Sequence, residues 1–253
     1  MNTTQSRNYG WIPDLPDHRD LMFAPLHLAQ QLPSKVDLHA LCPPVYDQGQ
    51  LGSCTANAIA GGIDYERKRQ QQQFMTPSRL FIYYNERVIE NSVATDSGAT
   101  LRDGMKTVSA QGVCSEPLWP YDITAFQNKP SLNCYTAALG RKTLKYLRLP
   151  SDVASMKSCL ATGYPFVFGF TVYESFEGPD VATTGKVPMP GLAEQVLGGH
   201  AVLAVGYSDA SQRFLARNSW GANWGINGHF TIPYAYLTDP NLADDFWTIR
   251  LVQ

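Results

Sequence analysis

The sequence predicts an α+β chain of two lobes, on three observations. Apolar residues recur at helical spacing through the first half of the chain. Strand-like apolar runs dominate from Phe166 onward. A proline- and aspartate-rich stretch of about 31 residues with no sustained period precedes both. The 253 residues suffice for one large or two modest domains with a proper core. An apolar content of 44% and a charged content of 17% are an ordinary globular balance. The formal net charge of −2 removes any overall electrostatic case for a nucleic-acid partner. No apolar run approaches the roughly eighteen residues of a membrane span. Met1 to Arg7 has no apolar signal core, so a cytoplasmic protein, or one exported without a visible Sec signal, is expected, as a monomer.

Residues 1–31 read as an N-terminal arm. Tyr9-Gly10-Trp11-Ile12-Pro13-Asp14 opens it, and Trp11, Ile12, Leu15, Met22 and Phe23 are apolar anchors. Two readings stay open, a packed strap and an arm that crosses a cleft. A helix is predicted from Cys54 to about Gln71, with Ala56, Ile59, Ala60 and Ile63 on one face. Ser78 is placed to cap a second, carrying Leu80, Phe81, Tyr84 and Val88. A third runs from Leu101 to Gln111 and stops at Gly112. Ser151 is read as the cap of a fourth, which ends near Gly163. Strands follow at 166–172, 201–207, 214–217, 229–232 and 246–252. The connection from Glu177 to Leu197 holds glycine and proline and reads as a functional loop.

Three segments hold the residues that carry chemistry. Gln48 stands six positions before Cys54, Gly199 precedes His200, and Asn218 opens Asn218-Ser219-Trp220-Gly221. A thiol at a helix N-terminus is favoured as thiolate by the unsatisfied amides there, and a neighbouring imidazolium favours it further. The expected resting state is therefore a Cys54 thiolate beside a protonated His200. Cys54 would attack an acyl carbon and His200 would protonate the leaving amine. Asn218 would orient the ring, and Gln48 would donate to the developing oxyanion. Trp220 would shield the Asn218–His200 bond from water. Each piece alone is ordinary packing or loop; their joint order is hard to explain that way. His18, His27, His39 and His229 lack such surroundings and read as structural. No Cys or His pair has zinc spacing, so no metal is predicted. Of the five cysteines, Cys114 and Cys134 flank one loop-like stretch and are a candidate pair, although spacing alone does not fix connectivity.

From about Leu32 to the C-terminus these residues resemble the papain family of cysteine peptidases. Leu32-Pro33-Ser34-Lys35-Val36-Asp37-Leu38 resembles the start of the mature enzymes, and Pro44 to Gly49 resembles the lead-in to the nucleophile. Asn218 to Gly228 is similar to the family's Asn-Ser-Trp-Gly…Trp-Gly…Gly signature. The resemblance implies a helical lobe (about 44–138) and a β-barrel lobe (about 139–253 with 32–43), together forming a peptidase domain at 32–253. It also implies a cleft between the lobes and endopeptidase action on protein or peptide substrates without a cofactor. Gly98 is implied to bind substrate backbone, Gly52 to be the substrate-site glycine that precedes the nucleophile, and Trp224 to line the leaving-group side. Ala99, Thr100 and Ala201 are implied to help form the main specificity pocket, and Gly199 and Trp220 to bind substrate as well. Departures are Thr55 where the family usually has tryptophan, Leu51 in place of a bridged cysteine, and Gly199 before the histidine. The expected short arm, in place of a long helical pro-domain, resembles a bacterial branch and acts in cis as a pro-segment. A thiol acyltransferase on the same fold, or a catalytically silent binding protein, are the alternative readings.

Overall fold

The computed structural model describes residues 8–25 and 32–253; His27 and the two ends of the predicted arm lie outside them. Along the chain the elements are β1 (Trp11–Ile12), β2 (Lys35–Asp37), α1 (Cys54–Arg69), α2 (Arg79–Ile89), β3 (Ala99–Thr100), α3 (Leu101–Ala110) and α4 (Leu132–Ala138). Then come β4 (Thr143–Arg148), α5 (Val153–Ala161), β5 (Phe166–Tyr173), α6 (Pro179–Thr184), β6 (Val196–Ser208), β7 (Arg213–Arg217), β8 (His229–Pro233), α7 (Tyr234–Thr238) and β9 (Ala243–Val252). Helices gather before residue 138 and most strands after it, so the predicted two-lobed α+β class holds.

Helix α1 is buried on nearly every side, from Cys54 through Glu66. At Gly61 and Gly62 it faces the sheet, where an added Cβ would stand 3.6 Å from Leu203 and 3.4 Å from Ile249. The nucleophile candidate therefore sits at the end of the most enclosed helix. Helix α2 starts as expected, with Ser78 Oγ accepting from the Phe81 N–H at 3.1 Å. Helix α3 stops before Gly112, which adopts φ +81°. The cap of α5 is Asp152 rather than Ser151; its carboxylate accepts from the Ser155 N–H at 2.8 Å, a stronger acceptor one residue closer. Strand β4 and helix α4 carry no strong local period, and the sequence reading passes over both.

Seven strands form an antiparallel sheet in the order β4-β9-β5-β6-β7-β8, with β2 added to β6. Strand β6 has two edges. One pairs with β7; the other pairs with β5 along 196–204 and with β2 along 206–208. Side chains alternate as strand geometry demands. Val202 and Ala204 enter one core with Phe166, Phe168 and Phe170, while Ala201, Leu203 and Val205 enter the other with α1, α2 and α3. The sheet is open, which corrects the expected barrel. The outer edge of β4 is occupied by the arm, where the Phe23 N–H donates to the Arg148 carbonyl at 2.7 Å and the Arg148 N–H to Leu21 at 2.9 Å. The edge of β8 is bridged at Thr231 by Lys186. Each edge is thus covered by another segment instead of by the opposite strand. The candidate bridge is also corrected. Cys114 and Cys134 are free thiols in hydrogen-bond contact. Their loop is tied instead by Ser78 Oγ to the Trp119 carbonyl (2.7 Å) and by Tyr121 to the Gln48 carbonyl (2.9 Å).

Candidate active site

Cys54 opens α1 and has no exposed surface. Burial pushes its thiol up to about 12, against the backbone N–H groups of Ala201, Gly10 and Thr55 that face the sulfur. In the covered cleft, burial thus opposes the thiolate that the helix N-terminus and these N–H groups favour.

His200 lies within β6, and Asn218 directly follows β7. Adjacent antiparallel strands bring them together: His200 Nε2 donates to Asn218 Oδ1 at 2.8 Å. The Ser219 N–H donates to the same oxygen at 2.8 Å and fixes the amide. The Trp220 ring stacks on the imidazole, with centroids 5.0 Å apart and planes 29° apart. Trp224 packs edge-on to Trp220 at 5.1 Å, and Phe176 fills the space behind both. Gln48 is held by its oxygen, which accepts from Ser219 Oγ at 2.6 Å. That bond turns Nε2 toward the Leu51 carbonyl (3.0 Å) and the Asn8 carbonyl (3.4 Å).

The arm fills the cleft. Gly10 lies against Gly52 and Gly98, the two glycines expected in the substrate site. A Cβ on Gly10 would fall 1.7 Å from the Gly52 carbonyl oxygen, and one on Gly98 (φ +78°) 2.2 Å from the Gly10 oxygen. The Ala99 N–H donates to the Gly10 carbonyl at 2.7 Å, and β1 pairs with β3 in parallel, Trp11 with Ala99 and Ile12 with Thr100. The Trp11 ring lies on Gly169, where a Cβ would be 1.9 Å away, and its carbonyl lies on Gly199. Tyr9 stands edge-on to His200 at 6.1 Å and donates to Glu177. Of the residues predicted for the pocket, Ala99 and Ala201 share a core with Trp11, whereas Thr100 turns its hydroxyl to the Asp103 N–H at 3.2 Å to cap α3.

A buried polar cluster anchors the arm further along. Asp245 accepts from Trp11 Nε1 (3.1 Å), from the Asp14 N–H (2.8 Å) and from Arg148 (2.9 Å). Asp14 accepts from Trp247 Nε1 (3.1 Å) and from the Arg102 N–H (3.0 Å). Burial raises both carboxyls, Asp245 to about 7. The sequence reading missed Tyr9, Gly10, Gly169, Glu177, Asp14 and Asp245 as parts of this site. The available signal was Gly169, an isolated glycine in an aromatic strand, which marks a close approach.

A two-lobed α+β fold with a thiol, an imidazole–amide pair and a side-chain amide around one cleft belongs to the class of cysteine peptidases. The profile described as papain family cysteine protease matches residues 32–242, and the chain belongs to that family. It is 43% identical to an uncharacterized peptidase C1-like protein of Acanthamoeba polyphaga mimivirus, over 99% of this chain and 89% of that one. It is 30% identical to digestive cysteine proteinase 1 of Homarus americanus, over 74% of this chain and only 56% of that longer protein. Among solved structures it is similar to xylellain, a cysteine protease from Xylella fastidiosa, with a TM-score of 0.91 and 45% identity over 100% of this chain and 99% of that one.

Proposed function

We propose that the protein is an endopeptidase in which Cys54 attacks the acyl carbon of a peptide bond. His200 protonates the leaving amine, and Asn218 keeps its ring in register. Gln48 Nε2 and the Cys54 N–H hold the oxyanion. Water then enters against His200 and releases the acyl-enzyme. No cofactor enters the reaction. The peptidase domain is 32–253, with its helical part at about 44–138 and the sheet in the remainder. What carries this reading is that a peptide already lies there: Asn8 meets the Gln48 amide, Tyr9 the His200 ring and Gly10 the thiol.

The arm within residues 1–31 is a pro-segment that blocks the cleft in cis. Its polarity explains why it is not simply a substrate. The leaving half of a substrate must lie beside His200, the proton donor, with its N-terminal half on the far side. In the arm, Tyr9 lies at His200 while Trp11 and Ile12, later in the chain, run away along β3. The arm therefore runs in the reverse sense. Covering also raises the Cys54 thiol, so the arm disfavours the nucleophile's charged form as well as excluding substrate. The test is incubation with an epoxysuccinyl peptide followed by intact-mass measurement. One adduct, absent in Cys54→Ala and formed faster without residues 1–31, is expected. No adduct in either form would overturn the reading.

A further inference from the structure

The leaving-group side of the cleft carries an acidic group whose present partner is the arm. Glu177 ends a single-turn 3-10 helix at Glu174–Glu177. That turn is rigid for identifiable reasons. Phe176 is buried against Trp220 (5.3 Å), Trp224 (5.5 Å) and Phe170 (5.1 Å). Glu194 Oε2 accepts from the Ser175 N–H at 2.9 Å, and Glu194 Oε1 accepts from Gly191 at 2.8 Å, which closes the connection back onto the turn. Glu177, next to Phe176, is thereby held half-buried where it receives the Tyr9 hydroxyl, and the Tyr9 ring in turn stands against His200 and Trp220. Tyr9 is the arm residue over His200, so its side chain occupies the space of a substrate side chain just beyond the scissile bond.

We propose that Glu177 makes the leaving side of this cleft selective for a basic side chain, lysine or arginine, in the first residues after the scissile bond. The inference rests on the cysteine-peptidase reading above. A phenol reaching Glu177 shows that the carboxylate is within reach of a side-chain donor. An ammonium or guanidinium forms a charge-assisted bond there, roughly twice as strong as the neutral one. The surroundings favour the same sign. Between residues 174 and 197 the chain carries Glu174, Glu177, Asp180 and Glu194 against one base, Lys186. An acidic side chain at the same substrate position would meet repulsion next to a partly buried carboxylate.

The test uses quenched fluorogenic peptides that differ at one position after the cut, Lys, Ala or Glu, with cut sites read by mass spectrometry. The readout is the ratio of kcat/KM for Lys over Glu within each protein. Glu177 also contacts the arm, but arm opening changes both members of the ratio alike and cancels. The full chain should favour Lys by about tenfold, as a partly buried charged pair warrants. Glu177→Gln should reduce the ratio to near two, Glu177→Lys should invert it, and Glu177→Asp should restore part of it. Glu174→Gln, which removes an exposed charge of the surroundings and leaves the Glu177 carboxylate in place, should lower it far less than Glu177→Gln. Equal ratios in wild type, Glu177→Gln and Glu177→Lys, with turnover intact, would overturn the Glu177 proposal alone. No cleavage of any peptide, even after Trp11→Ala has loosened the arm, would overturn the peptidase reading and this proposal with it.

Discussion

Trp11→Ala should open the cleft. Trp11 is 8% exposed, lies flat on Gly169 and bonds Asp245 through its indole nitrogen at 3.1 Å. Truncating a buried tryptophan to alanine costs about 3–5 kcal/mol. In the opened arm that side chain is already in water, so the loss falls on the docked state. About 3 kcal/mol is roughly two factors of ten in an equilibrium constant. The open fraction of the cleft should therefore rise about a hundredfold, until most molecules are open. The assay is the second-order rate of Cys54 labelling by an epoxysuccinyl peptide at fixed pH, with circular dichroism and Tm recorded in parallel. Leu15→Ala is the control in the same arm, because Leu15 is 81% exposed and should change little. A folded Trp11→Ala protein that labels at the wild-type rate would refute the claim that the docked arm limits access.

The anchor should also respond to pH. Burial raises Asp245 to about 7 and raises Asp14, so docking takes up protons; it is strongest in acid and weakens as pH rises through 7. Arg102 and Arg148 face Asp14 and Asp20, and Arg148 also faces Asp244 and Asp245, leaving the cluster two acids in excess once all are ionised. Hydrogen exchange of residues 8–25, corrected for the intrinsic pH effect, should be faster at pH 8 than at pH 5.5, and Asp245→Asn should flatten the difference; a reversed trend would contradict the linkage. Gly10→Ala should also activate, since its Cβ would fall 1.7 Å from the Gly52 carbonyl oxygen, and labelling as slow as wild type would show that the arm can shift to accommodate it. Gln48→Ala should lower kcat on the order of 10²–10³ with little change in KM, which steady-state kinetics on the opened enzyme would read.

The local elements were legible because their causes lie within a few residues. Ser78 caps α2, Gly112 ends α3 and Cys54 opens α1 by rules that need only the neighbouring sequence. The residue types of the site, Gln48, Cys54, His200 and Asn218, were equally readable, since the chemistry asks for those groups in that order. What the sequence left open depends on contacts between distant segments. Asp14 and Asp245 meet across 231 positions. The arm meets the edge of β4 at Arg148, and the segment at Lys186 meets the edge of β8 at Thr231. Gly10 fits between Gly52 and Gly98 only once the arm has crossed the cleft, and its direction there follows from where Tyr9 and Trp11 find their partners. The charge of the nucleophile belongs to the same category. The helix N-terminus that favours a thiolate is written in the sequence around Cys54, whereas the burial that opposes it belongs to the assembled cleft, where Gly10 of the arm and Ala201 of β6 meet the sulfur.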